Sequence, residues 1–248
     1  MTRKITQIII ILLAGLALPQ ESALEIVKRA DNKSRGKTSQ SQMTMTITRP
    51  GWSRTVSMKS WSKGRDLALV LITLPAKEKG QTFLKRGNEM WQWVPAIDRM
   101  IKIPPSMMMQ SWMGSDFTND DLLKESSIIF DYYHKKIGME KIRGFNCYKI
   151  ELTPRPDAAV VWGKIMLWID ENDDNYFQTE CYDEDGELVH TQSFYDIKRM
   201  GDRIVPTRME IIPEEKPGQS TTLVIDQIEY DKPIEDAFFS QQIMKRVR

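Results

Sequence analysis

From Gln42 to Tyr230 the chain is written almost entirely in short strand-like runs separated by turn residues, and this periodicity restricts the fold more than any other feature. Met43, Met45 and Ile47 alternate with Gln42, Thr44 and Thr46, and Val56 and Met58 continue the habit between Arg54 and Lys59, so these strands have one wet face. Leu67 to Leu74 is apolar on both parities, as in a strand covered on each side. Thr82 to Lys85 and Glu89 to Val94 flank the Gly87-Asn88 turn, and Arg99 to Ile103 stops at Pro104-Pro105. Asp131 to Arg143 and Phe145 to Thr153 flank Gly144 as a hairpin. Lys164 to Ile169, Phe177 to Tyr182, Leu188 to Lys198, Ile204 to Ile212 and Thr221 to Tyr230 follow, with turns between them. Two helical patterns interrupt the strands. Ser22-Ala23-Leu24-Glu25 is a capping box opening a helix through Leu24, Val27 and Ala30 that ends near Gly36, and Thr118 or Asn119 can cap a short helix through Leu123.

The pattern predicts a mainly β, α+β domain built on one antiparallel sheet of about ten or eleven strands. Right-handed twist curls so large a sheet into an incomplete barrel, and the few helices cover its concave face. So little helix leaves room for an apolar cavity, a ligand site by default.

Arg3 and Lys4 precede an apolar run of about 14 residues, Ile5 to Leu18, broken by Pro19: the basic and hydrophobic regions of a signal peptide. Spanning a bilayer takes about 20 residues. The expectation is a leader over residues 1–21 and a single domain over 22–248, exported as a soluble monomer. Gly15 with Ala17, or Ala23 with Glu21, offer alternative cleavage positions, and an uncleaved anchor is the rival. No Cys follows the apolar run, which argues against a lipidated N-terminus.

Chemistry finds few footholds. Lys plus Arg number 35 against 34 for Asp plus Glu, so there is no global field to gather nucleic acid. Two His and two Cys are too few for a metal centre, and no cofactor is implied. There is no G-x-S-x-G elbow, and His134 and His190 lie in polar strand contexts that predict surface positions. Asp170 to Asp174 and Asp183 to Glu187 read as solvated turns. No residue supports an enzyme. Cys147 and Cys181 fall in strands on either side of a third, roughly 9 to 10 Å apart. A disulfide needs Cα atoms within about 7 Å, so two quiet, partly buried thiols are preferred to a bond.

Soft and aromatic residues are prominent: 15 Met and 7 Trp, with Met107, Met108, Met109 and Met113 interleaved with Trp112. Three consecutive Met cannot all face one side of a strand, so one must meet a second apolar surface. Trp91 and Trp93 share a parity, and Trp61, Trp162 and Trp168 add bulk elsewhere. Core filling is the plain alternative. Met43, Met45, Met58, Leu69, Leu71, Trp91, Trp93, Met107, Met109, Trp112, Met113, Phe117 and Leu122 are the candidates for lining the apolar cavity and its lid, and Pro104 to Lys124 is expected to be the part that moves.

Trp91-Gln92-Trp93-Val94-Pro95, Arg99, and Met113-Gly114-Ser115-Asp116-Phe117-Thr118-Asn119-Asp120-Asp121-Leu122 resemble the signature stretch of the LolA-like outer-membrane lipoprotein-sorting family. Gly144-Phe145-Asn146-Cys147-Tyr148, Trp168-Ile169-Asp170, Tyr182-Asp183-Glu184-Asp185-Gly186 and the tail from Ile234 to Ser240 agree with it. The resemblance implies a half-barrel that binds lipid or lipoprotein acyl chains non-covalently in the periplasm. It also implies an inner-membrane donor, service to an RND-type transporter, and an outer-membrane acceptor. The family's carrier has an arginine whose lid contact governs release, and neither Arg49 nor Arg54 aligns to it from sequence. The alternatives are an accessory interaction subunit of such a transporter, with its cup plugged by its own side chains, and, more remotely, a hydrolase.

Overall fold

The computed structural model describes residues 21–119, 121, 127–158 and 160–248. The expected leader falls almost wholly outside them. Helix α1 (Ala23–Arg35) starts as the capping box requires: Ser22 Oγ accepts from Glu25 N, and the Glu25 carboxylate accepts from Ser22 N and Oγ. It ends at Gly36, whose φ of 71° suits a residue without Cβ.

Thirteen strands follow: β1 (Thr38–Arg49), β2 (Trp52–Lys63), β3 (Leu67–Leu74), β4 (Thr82–Arg86), β5 (Glu89–Val94), β6 (Arg99–Lys102), β7 (Tyr132–Ile142), β8 (Phe145–Pro154), β9 (Lys164–Asp170), β10 (Tyr176–Tyr182), β11 (Leu188–Met200), β12 (Arg203–Pro213) and β13 (Ser220–Tyr230). They form one antiparallel sheet in the order β6-β5-β4-β3-β2-β1-β13-β12-β11-β10-β9-β8-β7. The expected ten or eleven was too low: every one of the thirteen strand-like runs in the sequence joins the ladder, down to β4, β5 and β6 of five, six and four residues. The β7–β8 hairpin turns at Arg143 and Gly144, φ 49° and 91°, the pair of left-handed residues that matches strand twist.

The sheet is strongly curved but not closed. Phe83 on β4 and Cys181 on β10 line the same void although seven strand steps separate them in the sheet, about 34 Å if it were flat. Bulges at Gln42/Met43 and Ser57/Met58 sharpen the bend.

The concave face carries two separate cores. Under α1, Ile26, Val27 and Ala30 meet Ile150, Leu152, Ile165 and Leu167. Under the segment after β6, Met45, Ile47, Val56, Met58, Phe83 and Met90 meet Trp112. On the outer face a C-terminal segment ending in the one-turn helix α2 (Gln241–Met244) lays Ile234, Phe239 and Met244 over Leu69, Leu84 and Trp93, an element the sequence reading left unassigned. From Leu67 to Ile72 the strand is therefore covered on both sides, whereas Leu74 at its end is exposed.

Three sequence expectations are corrected. His190 is buried, 3% exposed, with its ring edge-on to Trp162 at 5.0 Å. Asp170 is buried rather than solvated, and its Oδ2 accepts from Asp173 N at 3.0 Å. Cys147 and Cys181 are free and fully buried rather than partly so. They lie opposite Asp170 and Ile165, towards the two ends of β9, and belong to cores on opposite faces of the sheet. Burial pushes the Cys147 thiol up to about 11 and that of Cys181 well above its ordinary value.

Candidate functional site

Between the two concave cores lies a cavity of about 460 Å³. That volume is in the range of pockets holding one small ligand, roughly 300–1,000 Å³. Cross-strand register builds its floor in rows. Met43 on β1 faces Met58 on β2, which faces Ile72 on β3; Met45 faces Val56. The next row is Ser41, Ser60, Val70, Phe83, and the last is Ser39, Ser62, Ala68, Lys85. The floor thus grades from thioether and aliphatic side chains to hydroxyls over three rows. Leu223, Ile225, Met209, Phe194 and Leu167 continue the apolar wall on the far side.

The polar end is closed by the last turn of α1 and the β2–β3 turn. Asp31, 4% exposed, pairs with Arg35 at 3.3 Å and with Arg65. Arg65 Nη1 is buried with no hydrogen-bond partner among the described residues. An unsatisfied buried donor of this kind costs about 1–3 kcal/mol.

The apolar end is closed by residues 105–119. Trp112 stacks edge-on against Phe83 at 5.3 Å and is 4% exposed; Phe117 lines the cavity beside it. The segment is hydrogen-bonded internally: Trp112 N donates to Phe117 O at 2.7 Å, Asn119 N to Gln110 O at 3.0 Å, and Asn119 Nδ2 to Met107 O at 2.9 Å. Thr118 caps the turn that follows, through Thr118 N to Asp121 Oδ2 at 2.7 Å and Asp121 N to Thr118 Oγ1 at 3.1 Å.

Two arginines at the β1–β2 end fasten this segment to the sheet. Arg49 donates to both carboxylate oxygens of Asp116 at 3.1 Å, to Gly114 O at 2.8 Å and to Ser220 O at 3.2 Å. Asp116 also accepts from Thr221 Oγ1 at 2.6 Å. Arg54 donates to Met113 O at 3.2 Å and pairs with Glu78. The Arg49–Asp116 pair is mostly shielded, its side chains 13% and 7% exposed, so its charge-assisted hydrogen bonds act with little screening.

Of the candidate lining residues, Met43, Met58, Trp112 and Phe117 border the cavity and Met45 lies in the core beneath it. Met107 and Met113 border a second, more polar void of about 330 Å³ behind Trp112. Met109 is 58% exposed. Leu69, Trp91 and Trp93 do not line the cavity; they face outward beneath the C-terminal segment, and Leu71 shares that side of β3 by alternation. Leu122 lies outside the described residues. Met90, Phe83, Trp162 and the Ser, Asp and Arg residues of the polar end also border the cavity without having been among the lining candidates, because their common placement emerges only from register.

A curved, unclosed antiparallel sheet with α1 and the segment around Trp112 over its concave face and a void between them has the form of a LolA-like half-barrel. A DUF1329 family protein from Desulfovibrio piger superposes with a TM-score of 0.81 at 25% identity, covering 90% of this chain and 97% of that one. A candidate outer membrane lipoprotein-sorting protein domain from Vibrio parahaemolyticus gives 0.78 at 23% identity, with 90% and 98% covered. A LolA superfamily protein from Nitrosomonas europaea gives 0.77 at 23%, with 90% and 99% covered. No curated protein matches the sequence. A family model described as "-like: Uncharacterized protein" matches residues 64–246, and the chain belongs to that family.

Proposed function

We propose that this chain is a periplasmic carrier that shields an acyl chain of a lipid or lipoprotein in the concave cavity and delivers it toward the outer membrane. In this reading residues 1–21 are the export leader and 22–248 the single carrier domain. The observation that carries it is the void itself: an apolar hollow of about 460 Å³ beneath α1 and Trp112, left unfilled by the side chains around it. Each methylene buried there contributes about 0.8 kcal/mol, before ordering costs.

Release calls for a cover that opens. The segment around Trp112 rests on the core beneath it and is fastened to the sheet at its rim by Arg49 and Arg54, so it is the element to lift. The site binds and lets go; it performs no chemistry. The neighbours' sorting and superfamily names support the same class of work.

Native mass spectrometry and lipid extraction of the purified chain test the reading. Expected are a copurifying lipid and saturable uptake of an apolar fluorescent probe. Repeated absence of both would sink it.

A further inference from the structure

Resting on the carrier reading, we infer that the cavity takes a single-chain amphiphile whose tail points toward Trp112 and Phe117 and whose anionic, oxygen-rich head sits at the opposite end, between Arg65 and the serine rows. A cavity meant only for hydrocarbon has no use for hydroxyls in its floor. Yet Ser39, Ser41, Ser60 and Ser62 occupy four concave-facing positions on adjacent strands, all at one end. Ser39 Oγ and Ser62 Oγ lie 2.8 Å apart, so this end is a connected polar surface rather than a scatter of small residues.

The charges at the wall choose the sign of the head. Among the described residues, Arg35, Arg65 and Lys85 border the cavity against Asp31 and Asp121, an excess of one cation. Asp31 is shared between two guanidinium groups. Arg65 keeps a buried Nη1 donor with no partner among the described residues, and the serine hydroxyls line the same end of the cavity. A carboxylate or a phosphate monoester supplies the missing acceptor oxygens, which an ester or an alcohol supplies poorly. The volume suits one chain rather than several.

The test is displacement of an apolar fluorescent probe from the purified chain by palmitic acid, its methyl ester, palmitoyl lysophosphatidic acid and inorganic phosphate. The expected result is that palmitic acid, lysophosphatidic acid or both compete at least tenfold better than the ester, and that phosphate alone does not compete; the better of the two acids names the head. Arg65→Met then brings the acids to the level of the ester without moving the ester. Ser60→Val, which leaves the Asp31 pairing untouched, weakens the acids severalfold and decides the matter should Arg65→Met fail to fold. Equal competition by acid and ester overturns the head site while leaving the carrier intact. Displacement by phosphate alone overturns the amphiphile in favour of a free-anion site. Failure of the chain to take up any probe overturns the carrier reading itself.

Discussion

Gly163 stands just before β9, where the backbone of the β10–β11 turn crosses it. A Cβ there would lie 2.3 Å from Asp183 O and 2.8 Å from the Asp183 carbonyl carbon and Glu184 Cα, all main-chain atoms that cannot swing aside. Its N–H donates to Tyr182 O at 3.0 Å, so the strand cannot simply retreat. Gly163→Ala should therefore destabilise by about 1–3 kcal/mol, read as a fall in melting temperature of about 2–4 °C per kcal/mol for a chain of this length. His190 makes a second residue-scale case. Burial against Trp162 pushes its pKa down to about 4, so the folded chain keeps it neutral while an unfolded histidine takes up a proton near 6.5. The unfolded state binds more protons between those values. This group's contribution is intact above pH 6.5 and is lost as pH falls toward 4, by on the order of 3 kcal/mol. His190→Phe, which keeps the edge-on ring contact, should remove that part of the acid sensitivity. Urea denaturation of both proteins at pH 7 and pH 4.5 checks it, and parallel pH dependences would refute it.

At the scale of elements the cover is held by geometry that a conservative change can break. Asp116→Asn keeps the shape but removes the charge that Arg49 grips with two hydrogen bonds, and Arg49→Lys keeps the charge but not the fork. Either should speed release of a bound probe by about tenfold or more, the equivalent of about 1.4 kcal/mol, and raise hydrogen exchange over residues 111–118 while α1 stays protected. An unchanged release rate would mean that this segment is not the gate. The strands that frame it were readable in the sequence because period-two alternation and turn chemistry are both local, and β3 and β5 fall where Leu67 to Leu74 and Glu89 to Val94 said they would. Which side of a strand faces inward was not local. Trp91 and Trp93 share a parity as expected, but the C-terminal segment docks on that side and leaves Met90 and Gln92 toward the concave face. The Arg49–Asp116 contact and the serine rows likewise arise only once distant strands take up their register.

At the scale of the molecule, the question is whether the half-barrel is hollow, and a substitution into the void separates the two answers. Val70 lies in the middle row, between the serine end and the methionine end, with Phe83 beside it and open volume above. In a close-packed interior a larger side chain strains its neighbours at about 1–3 kcal/mol. In a void of about 460 Å³ the added ring of Val70→Phe meets empty space and gains contacts it would otherwise lack. The expected outcome is stability equal to or above the parent in urea denaturation, together with at least a tenfold loss of probe affinity, because the ring takes the place of the ligand's tail. The two readouts move in opposite directions only if the cavity is both empty and the binding site. A destabilised variant would mean that the sheet closes on itself in solution. A stable variant with undiminished probe uptake would put the ligand elsewhere, with the outward Trp91 and Trp93 face as the next place to look.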